Sequence, residues 1–311
     1  MNILIVGAGA MGSRFGVALY KGGAEVTLFD VNKEHVAAIN DKGLEVQSDG
    51  KNDLYKLPAC YSTDGLRNFT HIFIFTKSIH TKSALESIKQ IITDDVILVT
   101  LQNGLGNIET LKEAAPQCPI IAGITNYAAG FVTPGVIVAN GSGITKLQAL
   151  EPANPKIADE FAAVLHKGGM SCDVVTDIQR HIWGKIAFNA ALNTVTSLTG
   201  LSVGLAGGSE ESREMLFNIA KDVAKTARAA GYKLSDEEVC DSIRSVMSPE
   251  MSAHHYPSMF QDVAARRKTE IEAICGKVLE TAKTFDVQAP YVHSVYLLIR
   301  AIENNYANRN G

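Results

Sequence analysis

Lys185, Asn189 and Asn193 stand at i, i+4 and i+8 in the stretch G-K-I-A-F-N-A-A-L-N. On an α-helix each four-residue step drifts by only about 40°, so the three side chains share one face. Ile186, Ala187, Phe188, Ala190, Ala191 and Leu192 surround them, and a helix this apolar is expected to be buried. Buried polar groups need hydrogen-bonding partners. A lysine and two amides on such a face offer donors and acceptors to a small polar ligand. Burial also lowers an ammonium pKa toward that of a usable proton donor. The alternative is a lysine that snorkels to solvent and asparagines that satisfy backbone carbonyls.

A second stretch runs H-H-Y-P-S-M-F-Q-D and on to R-R-K-T-E-I-E. Ser258 is placed to cap a helix that begins there. The spacing predicts helix from 258 to 285, which puts Glu270, 12 residues on, about 120° around from Ser258. Only one of Glu270 and Glu272 is then expected to face inward. Arg266 to Lys268 read as a solvated face. His254 and His255 are candidate acid–base groups, but no third residue defines a triad around them. There is no H-x-x-x-H, no HExxH and no clustered carboxylate pair, so no metal site is expected.

The third constellation is N-terminal. Gly7-x-Gly9-x-x-Gly12 directly follows an apolar strand and opens a helix. The first glycine permits the tight turn, the second lets a pyrophosphate approach the backbone, and the third lets helix and strand pack. The free N–H groups of Ala10, Met11 and Gly12 at the helix start then face the phosphates. Asp30, 18 residues after Gly12, ends the next strand, near the spacing of an acid that holds an adenine ribose. A carboxylate there accepts from the ribose hydroxyls and repels a 2′-phosphate, which favours NAD over NADP. It also suits a simple turn, and Lys33 still offers charge to a phosphate. Lys77 follows the strand H-I-F-I-F-T, and Asn103-Gly104 follows V-I-L-V-T-L. In open α/β sheets, ligands bind outside the carboxyl ends of strands. A solvated strand end and an ordinary Asn-Gly turn are the competing readings for Lys77 and Asn103.

These residues need a scaffold. Short apolar runs at 1–6, 24–29, 71–76, 96–101 and 119–124 alternate with helical patterns, which argues for an α/β fold, a doubly wound parallel sheet covered on both faces. Gly22-Gly23 and Gly168-Gly169 end helices. Residues 135–150 read as a β-hairpin turning at Asn140-Gly141, and the stretch E-P-A-N-P as a loop. From Asp177 onward strand signals vanish. Ser209 opens a helix that runs to Gly231, Ser235-x-x-Glu238 is a capping box, and Pro290 heads the last helix. The expected domains are 1–176, a dinucleotide-binding Rossmann-type domain, and 177–311, an all-helical substrate and dimerisation domain.

The chain has 311 residues, 46% hydrophobic and 20% charged, enough apolar mass for two packed cores. The net charge is −4 and neither half is basic, so nucleic acid is not an expected partner. The five cysteines are odd in number and far apart, so no disulfide framework is expected and a reducing cytoplasm fits. No basic signal-peptide region precedes the first strand, and no run reaches the ~20 apolar residues that span a bilayer, so no membrane is expected.

Five motifs stand in one order along nearly the whole chain: G-A-G-A-M-G, T-K after a strand, Q-N-G-L-G, K-x-x-x-N-x-x-x-N, and P-S-M-x-Q-D with T-E-I-E. Together they resemble the ketopantoate reductase (2-dehydropantoate 2-reductase) family, within the 6-phosphogluconate-dehydrogenase-like superfamily. The resemblance implies a Rossmann domain, a helical domain and a cleft between them. It implies NADPH-dependent reduction of 2-dehydropantoate to (R)-pantoate, a step toward pantothenate. By position it implies Lys185 as general acid at the keto oxygen and Glu270 as the active-site glutamate. It makes Asn189, Asn193 and Ser258 substrate-binding residues, and Asn103 a bridge between cofactor and substrate. A cytoplasmic enzyme, a homodimer, is expected. Members that use NADP carry a base near the end of the second strand, where this chain has Asp30. Some relatives of the family resemble that pattern and act as NAD-dependent D-2-hydroxyacid dehydrogenases on D-mandelate or branched hydroxy acids. A non-catalytic dinucleotide sensor on the same fold is the remaining alternative.

Overall fold

The computed structural model of the protein describes residues 1–247 and 255–308. His254 lies outside the described residues. The chain forms two compact units, one of residues 1–102 and 107–178, the other of residues 103–106 and 179–311.

The first unit is α/β. Its strands are β1 (Asn2–Val6), β2 (Glu25–Phe29), β3 (Leu44–Ser48), β4 (Lys51–Tyr55), β5 (Ala59–Cys60), β6 (His71–Ile74), β7 (Ile97–Thr100), β8 (Ile120–Thr125), β9 (Gly130–Thr133), β10 (Val136–Val138), β11 (Ile144–Leu150) and β12 (Ser171–Val174). Its helices are α1 (Ala10–Lys21), α2 (Lys33–Lys42), α3 (Thr81–Ile88), α4 (Asn107–Ala114) and α5 (Lys156–Lys167). The main sheet runs β12-β11-β8-β7-β6-β1-β2-β5, parallel from β8 to β5. The apolar strands are explained by two cores. Ile3, Ile5, Phe73 and Val99 enter one, and their neighbours Leu4, Val6, Ile72 and Leu98 enter the other. Strands covered on both faces carry no polar alternation. The chain leaves β1 to β2 on one side and later returns through β6 on the other, so β1 lies at the switch point of the sheet.

The expected hairpin over 135–150 does not form. β10 pairs antiparallel with β9 and parallel with β3, in a separate four-stranded sheet of order β4-β3-β10-β9. β11 instead lies antiparallel to β8 at the far side of the main sheet. Its alternating side chains are buried on one face there, with Leu147 fully covered. Burial against the large core therefore outweighs a local Asn-Gly turn, and the true hairpin turns one segment earlier, at Pro134-Gly135, where Gly135 has φ +80°.

The second unit is helical: α6 (Ile178–Thr199), α7 (Val203–Gly208), α8 (Glu210–Ala229), α9 (Asp236–Arg244), α10 (Ser258–Ala264), α11 (Lys277–Thr284) and α12 (Pro290–Asn304). Ser209 caps α8 by accepting from Ser212 N–H at 3.3 Å. The capping box on α9 has both of its bonds, at 3.1 and 2.9 Å. Asp222 of α8 caps α12 by accepting from Tyr291 N–H at 2.8 Å.

The continuous helix expected over 258–285 is broken. α10 stops at Ala264, where Arg266 takes φ +55°. Its N–H donates to the Val263 carbonyl, and Arg267 N–H donates to the Asp262 carbonyl at 2.8 Å. This is a Schellman stop built without glycine. A π-helical turn, Glu272–Gly276, then leads into α11. Arg266 to Lys268 are exposed. Among the described residues no helix is long and apolar enough to cross a membrane.

Candidate active site

At the end of β1, Gly7 has φ +94°, and a Cβ on it would fall 2.7 Å from Thr76 N. Only glycine fits there. A Cβ on Gly12 would overlap the Gly7 carbonyl oxygen, so α1 touches the strand end at that point. Gly9 is different: among the described residues nothing lies within 4 Å of its Cβ position. Gly9 makes no side-chain cap, and the first intrahelical bond is Ser13 N–H to Gly9 O, at 2.8 Å. The N–H groups of Ala10, Met11 and Gly12 therefore have no carbonyl of their own helix, and α1 ends in an anion-binding start beside an open backbone.

Two residues that the sequence reading passed over hold this loop. The Ala8 carbonyl accepts from Ser13 Oγ at 2.7 Å and from His35 Nε2 at 2.8 Å. His35 Nδ1 accepts from Gly135 N–H at 2.9 Å, so the imidazole proton sits on Nε2. Nothing in the local pattern K-E-H-V marks His35, because its partners lie far away in sequence.

Asp30 directly follows β2 and is half-buried. Its Oδ1 accepts from Asn32 N–H at 2.9 Å, the turn bond expected of a strand-end aspartate. One oxygen is thus committed, and the carboxylate still presents the other. The Lys33 ammonium stands 5.1 Å over the Tyr61 ring. Lys77 is half-buried after β6, where a 3-10 turn, Ser78–His80, begins. Gln102 braces this edge: its amide donates to the Thr76 carbonyl at 2.7 Å and to Thr81 Oγ1 at 2.8 Å. The donors and the acid fit a dinucleotide, with phosphates at the α1 start and a ribose at Asp30.

In the helical unit, α6 carries Lys185, Asn189 and Asn193 on one face. Ile186, Ala187, Ala190, Ala191 and Leu192 around them are buried. Asn193 is only 5% exposed, while Lys185 and Asn189 keep part of their surface. Burial pulls the Lys185 ammonium down from 10.5 to about 8, and the Glu270 carboxylate acts against that fall. Asn103 Nδ2 donates to Glu270 Oε2 at 3.5 Å. The Asn103 loop is fixed behind by Gly104, φ +91°, whose Cβ position lies 2.5 Å from Ala273 Cβ. Leu105 N–H donates to the Ala273 carbonyl at 2.8 Å. That carbonyl lies within the π-helical turn, so its diversion to Leu105 accompanies the local loosening of the helix.

Lys185, Glu270 and Asn103 are thus brought together. Glu272 points elsewhere, to Tyr296 Oη at 3.0 Å and to Arg300. Ser258 is exposed and makes no cap bond, and His255 is exposed as well. All five cysteines are free thiols, and burial pushes Cys172 and Cys275 up to about 12. Among the described residues no group of three or more His, Cys, Asp and Glu could hold a metal.

The arrangement is an ammonium whose pKa is drawn down to about 8, with a carboxylate and an amide beside it, and in the first unit a helix start and a strand end that could hold a dinucleotide. The model of the family described as ketopantoate reductase PanE/ApbA matches residues 3–152, and that of its C-terminal region matches residues 177–303. The 2-dehydropantoate 2-reductase of Streptococcus pyogenes serotype M3 is 31% identical over 97% of this chain and 98% of that protein. The enzyme of the same name from Lactococcus lactis is 31% identical, again over 97% and 98%. The solved ternary structure of a D-mandelate dehydrogenase with NADH and anilino(oxo)acetate superposes with a TM-score of 0.94 at 31% identity, over 99% of this chain and 100% of that one. With family models matched over both halves of the chain and full-length likeness to their members, the chain belongs to the ketopantoate reductase family of oxidoreductases.

Proposed function

We propose that the protein is a 2-dehydropantoate 2-reductase, which reduces 2-dehydropantoate (ketopantoate) to (R)-pantoate in pantothenate synthesis. The observation that carries this reading is the Lys185 ammonium set among buried apolar residues of α6, with the Glu270 carboxylate acting on it and Asn103 Nδ2 donating to that carboxylate at 3.5 Å. Residues 1–176 hold the dinucleotide and residues 177–311 hold the substrate and a homodimer contact, in the cytoplasm. Gly7, Gly9, Ala10, Met11 and Gly12 take the pyrophosphate, Asp30 the adenine ribose, and Lys77 and Asn103 complete the cofactor site. A bound nicotinamide supplies the hydride that reduces C2.

As C2 is reduced, negative charge grows on the keto oxygen. Lys185 stabilises that charge and delivers its proton to the oxygen. A donor with a pKa near 8 is mostly protonated at neutral pH, yet gives up its proton more readily than a solvent-exposed lysine. Glu270 keeps the ammonium charged against burial, and Asn103 holds Glu270. Asn189, Asn193 and Ser258 supply the donors and acceptors that orient the carboxylate and hydroxyl ends of the substrate.

A second reading is an NAD-dependent D-2-hydroxyacid dehydrogenase on the same fold. It is favoured by Asp30, whose carboxylate opposes a 2′-phosphate, and by the likeness to the D-mandelate dehydrogenase that binds NADH. We read NADH as the preferred cofactor in either case. Initial rates with 2-dehydropantoate and phenylglyoxylate, each with NADH and NADPH, separate the two. Fast reduction of 2-dehydropantoate supports the first reading. Reduction of phenylglyoxylate alone, with NADH, replaces it by the second.

A further inference from the structure

Glu303 on α12 is a buried carboxylate, 6% exposed, with no part in the steps above. Its Oε1 accepts from both the backbone N–H and the hydroxyl of Thr269, each at 2.7 Å. Its Oε2 accepts from Lys268 Nζ at 3.3 Å. The Thr269 hydroxyl in turn accepts from Ile271 N–H at 3.1 Å. Glu303 therefore grips the residues before Glu270, and Thr269 reaches over it to the residue after. The grip falls where it is needed. Residues 267–269 have no regular structure, lying between the Schellman stop of α10 and the π-helical turn. Charge is removed from water only when it is matched, and here Lys268 and two Thr269 donors match it.

We propose that Glu303 and Thr269 are positioning residues that hold the Glu270 carboxylate toward Lys185 and Asn103, which rests on the role given to Glu270 above. The clamp acts from α12 on one side, while the Leu105–Ala273 bond and the close fit of Gly104 fix the Asn103 side. With the clamp lost, Glu270 drifts and burial acts on Lys185 unopposed.

The test uses three near-isosteric variants of the full chain: Glu303→Gln, Thr269→Val and Thr269→Ser. Carbon NMR at lysine Cε follows the titration of Lys185, assigned with Lys185→Ala. Kinetics with 2-dehydropantoate across pH give kcat and KM, and urea midpoints report stability. In Glu303→Gln and Thr269→Val the Lys185 titration should fall by about one pH unit, and kcat near pH 7.5 by roughly threefold, with KM changing less. Thr269→Ser keeps the hydroxyl and should match wild type. Should Glu303→Gln fail to fold, Thr269→Val carries the test. An unchanged Lys185 titration in folded Thr269→Val overturns the proposal, as does a kcat loss that follows the urea midpoint across all variants, serine included. If the wild-type protein reduces no 2-keto acid, the functional reading falls, and the NMR titration still decides the clamp.

Discussion

Replacing Gly9 with alanine separates folding from cofactor binding. Gly9 has φ −60°, a value that alanine adopts freely, and its Cβ position has no neighbour within 4 Å. Alanine stiffens the unfolded chain, which stabilises by about 0.4–1 kcal/mol. It is a poorer N-cap than glycine, which costs a similar amount. Stability should therefore change by less than about 1 kcal/mol. Binding should not be spared, because the added methyl enters the space through which a phosphate approaches the backbone. Loss of one charge-assisted hydrogen bond, about 1.5–3 kcal/mol, weakens NADH by roughly 10- to 150-fold. The control is Gly12→Ala, whose methyl would overlap the Gly7 carbonyl oxygen and lie 3.1 Å from its carbon. That variant should lose about 1–3 kcal/mol of stability as well. Urea unfolding and NADH fluorescence titration measure both quantities. A Gly9→Ala variant that binds NADH within threefold of wild type, or that is destabilised as much as Gly12→Ala, would show that Gly9 does not admit a phosphate to the backbone.

Asp30→Asn keeps the turn to Asn32 but removes the charge, and should move the NADH-to-NADPH preference toward NADPH by about tenfold in kcat/KM. Reduction of the 2-keto acid should decline above pH about 8, as Lys185 loses its proton, while oxidation of the 2-hydroxy acid gains, and paired pH profiles test this. His71 is buried, its Nε2 has no hydrogen-bond partner among the described residues, and burial lowers its pKa from 6.5 to about 4. Its unfolded form binds the extra proton, so stability is full above about 6.5 and declines as pH drops toward 4, by about 3 kcal/mol in all. Urea unfolding of wild type and His71→Leu should show the steeper acid decline only in wild type, and parallel slopes would discount burial of the imidazole.

What the sequence made legible follows the range over which each signal acts. Glycine-terminated helices were plain, because Gly23, Gly169 and Gly231 take φ +96°, +90° and +93° at the stops. The stop after α10 was hidden, because Arg266 and not glycine takes the left-handed turn, held by carbonyls of its own helix. The turn of β3 into β4 at Asp49-Gly50 is a standard hairpin signal that was open to reading. The strand β11 was recognised but misplaced: its neighbour β8 is chosen by burial across the sheet, which no local turn reveals. At the candidate site, the one-face spacing of Lys185, Asn189 and Asn193 needed only helical geometry. Asn103 against Glu270 spans 167 positions, and no periodicity joins residues that far apart. The supporting residues His35, Gln102, Thr269 and Glu303 stayed silent for the same reason, since each is defined by partners from other segments.

Lys185 as the proton donor of a nicotinamide-dependent reduction is tested by comparing Lys185→Ala with wild type in reduction of 2-dehydropantoate, with the cofactor dissociation constant measured alongside. Lys185→Ala should lose 10²- to 10⁴-fold in kcat, about the worth of a positioned general acid, with cofactor affinity unchanged. Turnover within about threefold of wild type would contradict it. So would a wild-type protein that binds the dinucleotide but reduces no 2-keto acid, which is the behaviour of a sensor.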